Sequence, residues 1–313
     1  MILELQAGIN DSGRRIDRIL RKALPEYSLS LIHRLLRQGM VLVNNNRVSP
    51  DQRVNSGDEI KIYVTVNQQK LIVNKKNSSP PLPLPEILFQ GLGIIFFNKP
   101  AGMATHGPNS LADIAGEYLA GTLPHSLSFR PGPLHRLDKP TSGVIAFSTT
   151  LAGAQMFTRL LREQRLAKTY LAIVEGAVCD EETWKEALER DTIAQKTIIA
   201  GDAEGQSAVT KITPVYANER YSLIEARIVT GRTHQIRAHA AANEHPLLGD
   251  KKYGGGCAYG ACGSQGFFLH AWKIEPNGNY DCLPAGFPRQ ITAPLPGLFQ
   301  SQIKSFFDKE FKS

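Results

Sequence analysis

The 313-residue sequence predicts an α+β protein, with a small N-terminal unit followed by a larger one whose mixed, largely antiparallel sheet is flanked by helices. Three observations carry that expectation. Apolar spacing switches repeatedly between helical and strand-like periods. No long-period repeat and no regular strand–helix–strand alternation is present. A polar, then proline-rich stretch at 66–86 divides the chain.

Within residues 1–65, Ile16, Ile19, Leu20, Ala23 and Leu24 follow the spacing of one buried helix face, and Pro25 helps end that helix. A second helix is expected from near Ser30, with Leu31, Ile32, Leu35 and Leu36 inward and Gly39 as its stop. Short strands follow at Val41–Val43 and Val48, around a turn at Asn44–Asn46, and Ile60, Ile62 and Val64 alternate as in a half-buried strand. The segment 66–86 contains Pro80, Pro81, Pro83 and Pro85 and is expected to be a spacer rather than an SH3-type ligand. In residues 87–313, strands are expected at Ile94–Phe97, Lys168–Val174 (ending at Gly176) and Leu223–Val229. Helices are expected at Leu151–Leu161, capped by Thr149 or Thr150, and at Thr233–Asn243, with Thr233 as N-cap. Residues 181–190 read equally as helix or as loop.

Composition narrows the class. Hydrophobic residues make up 42% and charged residues 21%, ordinary for a globular chain with a sizeable core. The net charge is +7. No apolar run reaches the ~18 residues needed to span a bilayer, and no secretory signal is visible, so a cytoplasmic protein is expected. The four cysteines, 179, 257, 262 and 282, lack the short spacers usual for zinc and read as reduced thiols. No metal and no organic cofactor is expected.

Charge clusters on the first helix. Arg14, Arg18, Arg21 and Lys22 recur on the face opposite the apolar one, and Arg34 and Arg37 continue the stripe on the second helix. Asp17 is the one acid inside the first helix. Like charges at that spacing repel unless a partner relieves them, and phosphates would do so. The order Arg15-Ile16-Asp17, Leu20, Leu24-Pro25, Ser28, Ile32, Leu35, Gly39, Val41, Val43-Asn44, Val48, Val54 and Gly57-Asp58 resembles the S4 RNA-binding domain. Asn45 stands where that family usually turns on Gly, and Asn tolerates positive φ.

The larger unit carries four chemical motifs: Asn98-Lys99-Pro100-Ala101-Gly102; His135-Arg136-Leu137-Asp138 before Lys139-Pro140-Thr141-Ser142-Gly143; Lys168-Thr169-Tyr170 through Gly176; and Gly231-Arg232-Thr233-His234-Gln235-Ile236-Arg237-Ala238-His239. Together, over roughly residues 90–295, they resemble the RluA-type pseudouridine synthases, which isomerise uridine in RNA to its C-glycoside. His245–Gly254 and Leu269-His270-Ala271 also match, whereas Glu275–Gly278 and the loop 254–266 depart from the pattern.

Read chemically, Asp138 is one acid among cations, which favours its anion. A carboxylate beside a ribose can attack C1′ or remove a proton from C2′, and both roles stay open. An Asp that merely caps a turn is the bland alternative. The resemblance implies that Asp138 is the essential catalytic residue, that Tyr170 stacks on the displaced uracil, and that Arg232 forms an ion pair with Asp138. It also implies that Arg136 fills the space left by a flipped nucleotide, with a phosphate contact as the alternative. Lys99, Lys168 and Arg237 are candidate phosphate ligands. His135, His234 and His239 are read as core or hydrogen-bonding groups. The resemblance implies RNA as the partner, large-subunit (23S) ribosomal RNA first with transfer RNA as the alternative, acted on by a monomer. The rivals are a non-catalytic RNA-binding protein and a retaining glycosidase, which needs a second catalytic carboxylate absent from the motifs.

Overall fold

The computed structural model describes residues 2–64, 83–191, 196–200, 205–228, 230–256, 266–278, 280 and 283–311. In the small unit, strand β1 (Ile2–Gln6) precedes helices α1 (Ile16–Ala23) and α2 (Leu29–Arg37), followed by β2 (Val41–Val43), β3 (Asn46–Arg47) and β4 (Glu59–Tyr63). The strands form one sheet in the order β1-β4-β2-β3. The apolar stripes expected from sequence are the core: Ile16, Ile19, Leu20, Ile32, Ile60 and Ile62 are all 1% exposed or less. Ser28 caps α2 by accepting from the Leu31 amide at 3.2 Å, two residues before the expected start at Ser30. Asn44 and Asn45 take positive φ, so the hairpin turns without Gly. Strand β1 has no strong pattern of its own; it exists by pairing with β4, far along the chain.

The larger unit comprises β5 (Ile87–Gly91), β6 (Ile94–Lys99), α3 (Leu111–Ala120), β7 (Gly132–Pro133), β8 (Ser142–Ser148), α4 (Leu151–Arg162), β9 (Leu166–Glu175), β10 (Glu182–Trp184), β11 (Leu188–Asp191), β12 (Lys196–Ile199), β13 (Thr210–Ala217), β14 (Tyr221–Ile228), α5 (Gln235–Ala242), β15 (Leu269–Pro276), β16 (Ile291–Thr292) and α6 (Gly297–Phe307). Its main sheet runs β10-β13-β14-β9-β15-β8-β6-β5. Strand β15 pairs with β8 in parallel and with β9 antiparallel, which makes the sheet mixed. Both faces are covered, so β8 is buried along its whole length and reads as a continuous apolar run. Ile95, Phe97, Ile145, Tyr170 and Ala172 face α3 and α5, while Leu171, Ile173 and Leu223 face α6. Residues 181–190, ambiguous in sequence, hold β10 and the start of β11. Most of the expected spacer lies outside the described residues; β5 begins just after it, at Ile87.

The two units meet at a buried joint. Asp11, fully buried, accepts on Oδ1 from the Ser126 hydroxyl (2.8 Å), the Ser128 amide (2.9 Å) and the Ser128 hydroxyl (2.5 Å). Its Oδ2 accepts from the Leu127 amide (2.8 Å) and the Gly8 amide (2.9 Å). Burial alone would raise the Asp11 carboxyl; the donors from Ser128, Leu127, Gly8 and Ser126 outweigh it and hold the group below its ordinary value. Leu127 inserts into the core of the small unit, and Asn10 Oδ1 accepts from the Leu151 amide at the start of α4 (3.0 Å). A Cβ on Gly8 would lie 1.9 Å from the His125 carbonyl oxygen, so only Gly allows the approach.

Candidate active site

Asp138 lies on the loop before β8, in a turn closed by the Thr141 amide donating to the Asp138 carbonyl (3.0 Å). Thr105 braces the loop, its hydroxyl donating to the Leu137 carbonyl (2.8 Å) and accepting from the Leu137 amide (3.3 Å). Gly143, at φ +109°, carries the chain into β8 where a Cβ would lie 2.1 Å from the Ala271 carbonyl oxygen. The loop opens on a cavity of about 490 Å³ lined by Arg136, Asp138, Lys168, Tyr170, Arg232 and Arg237, with apolar walls that include Leu161, Leu166 and Leu269. Asp138 is the one acidic residue among those lining it.

Tyr170 is 7% exposed on β9. Burial, reinforced by the Asp138 charge, raises its hydroxyl well above the ordinary value, so the phenol is neutral. Burial also lowers Lys168, which shares the strand and the cavity.

The expected ion pair is made by a different arginine. Arg237, in the first turn of α5, donates from Nη1 to Asp138 Oδ2 at 2.9 Å. Arg232 is exposed in the preceding loop, and its Nε approaches the Ser207 carbonyl at 3.4 Å. The cause is where the helix begins. Thr233 is not the cap; His234 is, in the left-handed region at φ 52°, and α5 starts one residue later than expected. Gln235 Oε1 takes up the Thr230 hydroxyl (2.8 Å) and the Arg232 amide (3.0 Å), so the loop turns away from Asp138 while the first helical turn aims Arg237 at it. Arg237 is therefore not a free phosphate ligand.

Two further cations depart from expectation. Lys99 is fully buried, because it shares the inward face of β6 with Ile95 and Phe97. Its Nζ donates to the carbonyls of Met103 (2.7 Å), Pro100 (3.0 Å) and Lys139 (3.3 Å), leaving no N–H for phosphate. Burial lowers it to about 8, opposed by the Asp138 charge. Arg14 is half-buried at the joint, where its Nη1 donates to Ser128 Oγ at 3.0 Å. Arg18, Arg21, Lys22, Arg34 and Arg37 are exposed on the small unit, and Arg136 is exposed at the cavity.

His234, expected as a core or hydrogen-bonding group, places its Nε2 3.6 Å from Asp138 Oδ2; sequence reading missed Asp250, which grips Arg237, and Tyr253, hydrogen-bonded to His234. The matched segment His245–Gly254 held the signal for the last two. His135 and His239 are hydrogen-bonded as expected, His135 Nε2 accepting from the Ala146 amide (3.0 Å) and His239 contacting Thr210 and the Glu186 carbonyl. Cys179 is a free, exposed thiol; the other cysteines lie outside the described residues. No helix among the described residues is long and apolar enough to cross a membrane.

A model of the RNA pseudouridylate synthase family matches residues 93–242, and an S4 domain model matches residues 14–60. The chain is 31% identical over 307 residues to ribosomal large subunit pseudouridine synthase C of Haemophilus influenzae, covering 94% of both proteins. The protein belongs to the RluA family of pseudouridine synthases. It is 32% identical over 252 residues to ribosomal large subunit pseudouridine synthase C of Escherichia coli, covering 78% of this chain and 77% of that one. Against ribosomal large subunit pseudouridine synthase D of Neisseria meningitidis it is 31% identical over 247 residues, and there it spans only 64% of the relative's length. The solved structure of Human RNA Pseudouridylate Synthase Domain Containing 4 shares the fold, at a TM-score of 0.56 and 23% identity over 69% of this chain and 91% of that one. This RluA-family chain thus joins an S4 domain to the synthase fold, and its cavity is lined by residues of the second, third and fourth motifs.

Proposed function

We propose that this protein isomerises uridine to pseudouridine in large-subunit (23S) ribosomal RNA, in the cytoplasm, with Asp138 as the catalytic carboxylate. The observation that carries the reading is a lone carboxylate in the cavity, ion-paired to a buried arginine and sharing the space with a neutral phenol. The reaction breaks the C1′–N1 bond and forms C1′–C5. The C5 proton leaves and N1 gains one, so atoms balance without redox chemistry.

Arg237 sets a positive charge against Asp138 and fixes one of its oxygens. That leaves the other oxygen for C1′ or for the C2′ proton. Tyr170 offers a flat apolar surface to a base rotating in place, held beside Asp138 by the sheet. A base inside a stem cannot reach this depth, so the nucleotide must be everted, and exposed Arg136 at the cavity is placed to occupy the gap. Lys168 and exposed Arg232 supply positive charge to the sugar–phosphate backbone. Arg18, Arg21, Lys22, Arg34 and Arg37 hold RNA at a distance from the cavity. A retaining glycosidase would place a second carboxylate about 5 Å from the first, and the lining residues offer none.

Tritium release from RNA carrying 5-tritiated uridine tests this. Asp138→Asn abolishes release and leaves RNA affinity nearly unchanged; full activity in the variant refutes the assignment. Mapping pseudouridines in total RNA with and without the protein separates ribosomal from transfer RNA targets.

A further inference from the structure

The two groups that approach Asp138 are themselves held by one short turn. Asp250, 1% exposed, accepts from Arg237 Nε at 2.6 Å and from Nη2 at 2.9 Å, one bond to each oxygen. A guanidinium is planar, so gripping those two nitrogens sets the direction of the third, Nη1, which donates to Asp138. The Arg237 plane also lies over the rings of Phe267 (4.3 Å) and Tyr253 (4.8 Å).

Tyr253 ends the 3-10 turn Lys251–Tyr253. Its hydroxyl accepts the Thr197 amide proton at 2.8 Å and contacts His234 Nδ1 at 2.9 Å. The arrangement that satisfies every group has Tyr253 donating to Nδ1. His234 then carries its proton on Nε2, the nitrogen facing Asp138 Oδ2 at 3.6 Å. Burial keeps the imidazole neutral, lowering it to about 4 against the pull of Asp138. Neither Asp250 nor Tyr253 lines the cavity.

We propose that Asp250 and Tyr253 are positioning residues: Asp250 aims Arg237, and Tyr253 selects the His234 tautomer, so that together they orient the Asp138 carboxylate without touching RNA. The proposal rests on the reading of Asp138 as the catalytic carboxylate. Replacing the Asp250 carboxylate with an amide removes one of the two charge-assisted bonds and lets the guanidinium swing. Misplacing a catalytic group by about 1 Å can cost about 10²-fold in rate.

The test is steady-state tritium release from a structured RNA by the full-length protein, with RNA affinity and melting temperature measured in parallel. Asp250→Asn and Tyr253→Phe lower kcat by about 10- to 10²-fold while KM and RNA affinity stay unchanged. Asp250→Glu recovers part of the loss. Combining Asp250→Asn with Arg237→Lys costs little more than Arg237→Lys alone, because both act through one contact. Nitrogen-15 spectra of the imidazole show His234 as one Nε2–H tautomer in the parent and a mixture in Tyr253→Phe. Unchanged kcat in both folded variants, additive loss in the double variant, or an unchanged tautomer overturns the proposal. If Asp250→Asn does not fold, Tyr253→Phe and its spectrum decide. Activity in Asp138→Asn would instead overturn the underlying reading, whereas an inactive Asp138→Asn beside fully active turn variants overturns this proposal alone.

Discussion

Replacing Asp11 with Ala should undock the two units without unfolding either. The carboxylate accepts five hydrogen bonds, four of them from Ser126, Leu127 and Ser128 across the joint. Its loss strands the buried Leu127 amide and leaves the Ser128 amide only a long bond of 3.4 Å to Ser126 Oγ, at about 1–3 kcal/mol each. Water entering the gap recovers part of this, so a net cost of about 3 kcal/mol is reasonable. That shifts the docked-to-undocked ratio by about 10²-fold. Arg14–Ser128 and Asn10–Leu151 remain but are single bonds. Small-angle scattering should show an increased radius of gyration, and hydrogen exchange should show reduced protection at Leu127 and Ser128. In the parent, Asp11 is held below its ordinary value, so its contribution is complete above about pH 4 and is lost only as pH falls through the lower folded value. Unchanged scattering and unchanged protection in Asp11→Ala would refute the joint.

Three other outcomes are expected. His270 is fully buried, donates from Nε2 to the Ala293 carbonyl (3.1 Å), accepts from Ser142, and burial lowers it to about 4. The unfolded chain takes up that proton near pH 6.5, so stability is flat above about pH 6.5 and falls towards pH 4, by on the order of 3 kcal/mol from this residue. Urea midpoints across that range should decline less in His270→Gln; parallel curves would count against it. Gly143→Ala combines positive φ with a clash against Ala271 and should cost about 3 kcal/mol or more, read as a lowered melting temperature; a parent-like value would show that the strands part easily. Changing Arg18, Arg21, Arg34 and Arg37 together to Gln should flatten the salt dependence of RNA affinity, by about one unit of slope for each phosphate no longer neutralised. An unchanged slope would remove the stripe from the interface.

Much of this was legible in the residues. The stripe from Ile16 to Leu24 is the buried face of α1 with Leu24 beyond its end, and three of the four motifs line one cavity. What was not legible depended on where a helix begins and on segments far apart in the chain. Arg232 and Arg237 belong to one motif, and shifting the start of α5 by one residue exchanged their surroundings. Lys99 was readable in principle: period two along β6 puts it on the inward face with Ile95 and Phe97, but a lysine there invites a surface assignment. Strand β1 and the grip of Asp250 on Arg237 arise only once distant segments pair.

Helix α4 links the joint to the cavity. Asn10 holds its first amide, while Thr158, Leu161 and Arg162 form part of the cavity wall at its other end. Twelve residues make a rod of about 18 Å. The S4 domain therefore works less as a tethered hook than as the fixed jaw of a caliper. Under the proposed function, an RNA that satisfies both jaws would have to present its everted nucleotide at one set spacing from the stretch of backbone on α1 and α2, and tertiary shape, more than local base order, would become what the protein measures.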